Sequence, residues 1–131
     1  MAQATLEHVN MTVSDPKKTA QMLVDLFDWK IRWEGPGGIG GYTVHVGTDD
    51  RYLGLYRPGK ETELSRTNKA EAYSTVGGLN HVALVVADLD QTETRILNAG
   101  FKTLNHGDYE PGRRFYFFDD DGIEYEVVSY S

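Results

Sequence analysis

Two histidines and one glutamate carry the clearest chemistry in this sequence. His8 lies in LEHVNMTVSD (residues 6–15) and His81 in LNHVALVVAD (residues 79–88); the stretches match at five of ten positions and set the histidines 73 residues apart. A lone histidine on an apolar strand is commonly a satisfied core side chain. Two at equivalent places in a repeat are different. Residues related by a pseudo-two-fold axis meet when they lie near it, and two imidazoles brought together gain little unless they share a cation. The natural third ligand is a carboxylate. The closing segment Ile-Glu-Tyr-Glu-Val-Val-Ser at 123–129 puts Glu124 and Glu126 on one face of a strand and Ile123, Tyr125 and Val127 on the other. Glu124 adjoins an Asp-Gly turn and is expected in solvent. Glu126 is mid-strand, where a carboxylate is costly unless paired or metal-bound; the competing reading is an edge-strand glutamate facing water. His8, His81 and Glu126 would form a facial set of two neutral ligands and one anion, leaving positions open for water or substrate. Fe(II), Mn(II), Zn(II) and Ni(II) all tolerate such a set, which keeps the ion positive enough to polarise a carbonyl or bind an enolate.

The elements that must position these residues repeat as well. Residues 6–14 alternate like a strand. Asp15-Pro16 then supplies an N-cap and a proline for the first helical position, ahead of an amphipathic stripe at Ala20, Leu23, Val24 and Phe27. In the second half, residues 79–87 form the strand and Asp88 the cap. Leu89, Thr92, Ile96 and Leu97 form the stripe, and Gly100 the C-terminal stop. Three strands follow each helix: 29–34, 42–46 and 52–57, then 101–104, 114–118 and 123–129. Turn residues separate them, as in Asp119-Asp120-Asp121-Gly122. Each half is therefore β-α-β-β-β. The fold class is α+β, one domain over 1–131, with module one at 5–58, a polar connector at 59–77 that is partly helical between 62 and 73, and module two at 78–131. Each module is expected to be a curved four-stranded mixed sheet with its helix outside, the two sheets enclosing a cavity.

Composition removes whole classes of function. The chain's 131 residues suit one domain. The net charge of −7 argues against a nucleic-acid surface. There is no cysteine, hence no disulfide, thiolate nucleophile or zinc-thiolate site. No apolar run reaches the roughly 18 residues of a membrane span, and the first residues lack the features of a signal peptide. The absence of cysteine makes a reduced compartment, the cytosol, the expected location.

With these residues in place, the sequence resembles the vicinal-oxygen-chelate superfamily, which includes glyoxalase I, extradiol dioxygenases, fosfomycin-resistance and bleomycin-resistance proteins. The matching stretches are LEHVNMTVSD, LNHVALVVADLDQT and FYFFDDDGIEYEVV, and the resemblance spans essentially the whole chain. It implies metal ligands at His8, His81 and Glu126, a small-molecule substrate and a homodimer. The place of the fourth ligand of glyoxalase I falls on or near Leu55, which cannot ligate. That counts against an ordinary glyoxalase I and favours a three-ligand centre. A fold of this kind hosts many reactions. The expected function is a divalent-metal enzyme acting on an oxygen-chelating substrate by isomerase, lyase or ring-cleaving oxygenase chemistry. The alternative is a metal-free protein that binds and sequesters a small molecule such as a drug.

Weaker features complete the reading. Pairing Leu55 with Glu126 puts His45 and Tyr116 on the opposite face, where they would be packing residues, and turns Phe115 and Phe117 toward the cavity. Gly35-Pro36-Gly37-Gly38-Ile39-Gly40-Gly41 reads as a hairpin tip, not a phosphate loop. One of Arg113 and Arg114 could meet an anionic substrate, although an exposed pair is the simpler reading. His106 is expected in a loop.

Overall fold

The computed structural model describes residues 2–66 and 68–131. It comprises two compact units, the first ending at Leu64 and the second beginning at Ser65. In the first unit the order is β1 (His8–Thr12), α1 (Pro16–Phe27), β2 (Lys30–Pro36), β3 (Tyr42–Gly47) and β4 (Tyr52–Arg57). In the second it is α2 (Lys69–Ser74), β5 (Val82–Val85), α3 (Leu89–Asn98), β6 (Thr103–Tyr109), β7 (Gly112–Phe118) and β8 (Glu124–Ser129). The strands of each unit form one four-stranded mixed sheet, ordered β1-β4-β3-β2 and β5-β8-β7-β6. β1 runs parallel to β4 and β5 parallel to β8, while the other neighbours are antiparallel. The expected α+β architecture of two β-α-β-β-β modules is what folds. Among the described residues, no helix is long and apolar enough to cross a membrane.

The helix signals act where the sequence places them. Asp15 accepts from Lys18 N and Asp88 from Gln91 N, so each strand hands over to its helix through a side chain that satisfies an otherwise orphaned amide. Gly100 follows α3 at φ +98, a conformation in which a Cβ would be strained. Replacing the carboxyl that ends β1's connection, Asp15→Ala, should cost about 1 kcal/mol and lower the melting midpoint by a few degrees. Among the described residues of the connector, the helix covers Lys69–Ser74, started by Asn68 accepting from Ala70 N.

Each sheet buries one face. The buried residues are Val44, Val46, Leu53 and Leu55 with Ala20 and Leu23 of α1 in the first unit, and Phe115, Phe117, Tyr125 and Val127 with Ile96 of α3 in the second, each helix packing on its own sheet. Tyr125 is fully buried, and its hydroxyl donates to Asp119 Oδ2 at 3.0 Å. Asp119 Oδ1 accepts from the amides of Asp121 and Ile123, which makes the Asp-rich segment a turn built around one carboxylate. Burial outweighs those bonds and holds the Asp119 pKa above the ordinary carboxylate value.

The strand register corrects the expected faces. Ala83 is opposite Glu126 across β5 and β8, and the equivalent pair across β1 and β4 is Asn10 and Gly54. The counterpart of Glu126 is therefore Gly54, not Leu55. A one-residue slip turns every side chain to the other face. Phe115 and Phe117 point into the core, each fully buried, rather than toward a cavity. His45, opposite Gly54, and Tyr116, opposite Glu126, lie on the face away from the helices.

His106 is not in a loop. It lies in β6, within a register shift between Leu104 and Gly107, and its Nε2 is 2.6 Å from Glu93 Oε2 on α3. Burial alone would raise the Glu93 pKa, but hydrogen bonds from Thr103 and His106 and the His106 charge outweigh it and hold the carboxyl below its ordinary value. A depressed carboxylate contributes stability that is present above its unfolded pKa and lost as pH falls through the folded one. Wild-type stability should thus drop on acidification below about pH 4.5 more steeply than that of His106→Ala, as read by urea midpoints across pH.

Candidate functional site

Away from the helix, the second sheet presents His81, Arg114, Tyr116, Glu124 and Glu126, with Tyr73 reaching in from α2. Glu126 is buried, and both oxygens are engaged. Its Oε1 is 3.0 Å from His81 Nε2, and its Oε2 accepts from Arg114 Nη1 at 2.8 Å. The mid-strand carboxylate is thus paired, as its position demands. Glu124 is buried too, contrary to the expected solvated place beside the turn. It accepts from the Tyr73 hydroxyl, which lies 3.1 and 3.0 Å from its two oxygens. Burial, then the hydrogen bond to Glu124, pushes the Tyr73 pKa up to about 12, so the hydroxyl keeps its proton.

Tyr73 also fixes the imidazole. Its oxygen is 3.2 Å from His81 Nδ1. The hydroxyl proton goes to the carboxylate, the stronger acceptor, so the oxygen accepts from His81 Nδ1–H. In neutral His81 this leaves the lone pair on Nε2, aimed at a Glu126 oxygen. Two acceptor atoms facing each other at 3.0 Å need a proton or a cation between them. The His81–Glu126 pair therefore suits part of a metal-ligand set. Arg114 works the other way: it places a second positive charge on the same carboxylate.

In the first sheet, His8 opens β1. Its Nδ1 is bonded to Glu7 Oε1 at 2.9 Å, and its ring stacks on Tyr52 with centroids 4.8 Å apart. His45 stacks on Tyr52 at 4.5 Å, Trp33 tilts against His45 at 5.2 Å, and the Arg32 guanidinium lies 4.4 Å above Tyr52. Gly54 is the bare floor of this aromatic surface; a Cβ there would come within 3.0 Å of Asn10 Nδ2. Burial, then the nearby His8 and Arg32 charges, lowers the His45 pKa below the ordinary histidine value and favours the neutral ring. Of the three expected ligands, His81 and Glu126 meet within one unit and His8 opens the equivalent strand of the other. Among the described residues, no three His, Asp or Glu side chains gather as a ready-made metal cluster.

No sequence signal marks Tyr73, and the slipped register sets Tyr116 and His45 on the packing face. Tyr73 sits in a connector without strand or helix periodicity. Tyr116 and His45 alternate with core residues, which would have assigned them to the site face once the correct register was known.

The sequence profile of the Glyoxalase/Bleomycin resistance protein/Dioxygenase superfamily matches residues 5–127, a range that takes in both modules. The chain belongs to this superfamily. Solved structures share the fold of this superfamily member along nearly its whole length. A glyoxylase/bleomycin resistance protein/dioxygenase domain from Frankia sp. EAN1pec is 22% identical with a TM-score of 0.78, the alignment covering 98% of each chain. TnmS3, an antibiotic binding protein from Streptomyces sp. CB03234, is 21% identical with a TM-score of 0.74, covering 100% of this chain and 99% of its own. A variant of the fosfomycin resistance protein FosX from Listeria monocytogenes, complexed with Mn(II) and 1S,2S-dihydroxypropylphosphonic acid, is 18% identical with a TM-score of 0.70, covering 97% and 93%. Among curated proteins, none matches the chain in sequence.

Proposed function

We propose that this superfamily member is a divalent-metal enzyme acting on a small molecule that offers one or two oxygens to the metal, with His8, His81 and Glu126 as the ligands. The observation that carries this reading is the convergence of His81 Nε2 and Glu126 Oε1 at 3.0 Å, with Tyr73 fixing the ring so that Nε2 is the ligating atom. When bound, a divalent ion supplies a Lewis acid for an oxyanion or enolate. The chain's own residues do the rest. Tyr73 orients His81, and buried Glu126 supplies the anion. On the first sheet, His8 has its Nδ1 taken by Glu7, leaving Nε2 as its ligating atom. The relative with Mn(II) supports a metal in this fold. A homodimer in the cytoplasm goes with the same reading.

A second reading, a metal-free small-molecule binding protein, has two specific observations in its favour. Arg114 already neutralises Glu126, and Trp33, His45 and Tyr52 form an aromatic surface suited to a planar ligand. The antibiotic-binding relative is consistent with it. Titration with Mn(II), followed by the loss of its free-ion electron paramagnetic resonance signal, separates the two. The enzyme reading predicts saturable binding weakened at least about tenfold by His8→Gln. Wild-type protein that leaves the Mn(II) signal unchanged overturns it in favour of the binding protein.

A further inference from the structure

Arg114 holds an unused recognition edge. Of the adjacent arginines, Arg113 points outward to Asp90, whereas Arg114 turns in and is only 14% exposed. Its Nη1 serves Glu126. Its Nε and Nη2 are both buried and have no acceptor among the described residues. These two N–H groups form the parallel fork of a guanidinium, the edge that matches two oxygens of one oxyanion. Two buried N–H groups without an acceptor are costly, so this edge calls for one.

What covers the guanidinium is movable. Tyr109, 60% exposed near the β6–β7 turn, lies with its ring centroid 5.0 Å from Arg114 Cζ. Gly107 is the register partner of Arg114, and a Cβ on it would stand 2.5 Å from Tyr109 Cε1. The ring thus lies across the glycine and over the arginine. A side-chain rotation of Tyr109 would open the fork without disturbing the strands.

We propose that the Nε–Nη2 edge of Arg114, with Tyr109 as its cover, binds an oxyanion of the ligand, a carboxylate or a phosphonate. This deepens the small-molecule reading above and rests on it. It commits the ligand to an anionic group that Arg114 grips with two hydrogen bonds beside Glu126.

The test uses the full chain in chelator, titrated with benzoate, phenylphosphonate and neutral benzamide while the Arg114 Nε–H resonance is followed by NMR. At least one of the two anions should shift that resonance and bind at least about tenfold tighter than benzamide. Whichever anion binds identifies the oxyanion. Arg114→Lys keeps a cation for Glu126 but lacks the fork, and should lose about tenfold of the anion preference. Gly107→Ala displaces the Tyr109 ring and should change anion affinity while leaving that of benzamide unchanged. Equal binding of the anions and benzamide, or an anion preference that survives Arg114→Lys, overturns the proposal. Repeating the titration with Zn(II) keeps the two readings apart. Failure of the metal reading leaves anion affinity unchanged by Zn(II), whereas failure of the anion site removes the preference already in chelator.

Discussion

Glu126→Ala should destabilise the protein by about 3–5 kcal/mol, because it strands the buried Arg114 guanidinium without its only hydrogen-bonded partner in the sheet. The sequence alone suggests that this variant loses metal and keeps its fold, since nothing in it pairs Arg114 with Glu126. The ion pair changes the expectation. Glu126→Gln retains an amide oxygen for Arg114 and should cost much less, about 1–2 kcal/mol, while still removing the anionic ligand. Urea unfolding of the two variants checks the difference. Equal stability of Ala and wild type would mean that Arg114 finds another acceptor.

Phe117→Ala should cost about 3–5 kcal/mol. The ring is fully buried, stacked on Tyr125 at 5.0 Å and tilted against Phe101 at 5.7 Å. Truncation leaves a cavity under the strand whose other face carries Tyr116 and, across the register, Glu126. The loss should appear as a shift of the denaturant midpoint at unchanged slope. The neighbouring Tyr116→Phe, on the open face, should leave that midpoint within about 0.5 kcal/mol of wild type. Had Phe117 faced a cavity, the two effects would be comparable.

The fold was legible because local and repeated signals agree. Asp15-Pro16 and Asp88 cap the helices they announce, and β4 covers the residues its alternation marks. The first strand is shorter than its apolar run: residues 6 and 7 alternate as a strand would but pair with no ladder partner beyond Glu7 O, which accepts from Tyr52 N. The site was half legible. Glu126 had to be paired, and it is, yet its partner Arg114 stands twelve residues earlier on a strand whose register no local pattern fixes. The misplaced faces of Leu55, His45 and Phe115 all come from one cause. A repeat aligned by its turn residues is off by one from a repeat aligned by its parallel ladders, because the Asp-rich turn of the second module and Thr48-Asp49-Asp50 of the first close differently. Tyr73 illustrates a different limit, since the short helix carrying it is exposed and lacks an apolar stripe.

The proposed function rests on a divalent ion held by His8, His81 and Glu126. The most direct measurement is the metal content of protein purified without chelator or immobilised nickel, beside Glu126→Gln treated identically. About one divalent ion per folded wild-type chain is expected, with a loss of at least about tenfold in the variant. A wild-type chain that carries no metal and takes none up on titration would contradict it, as would full occupancy in folded Glu126→Gln.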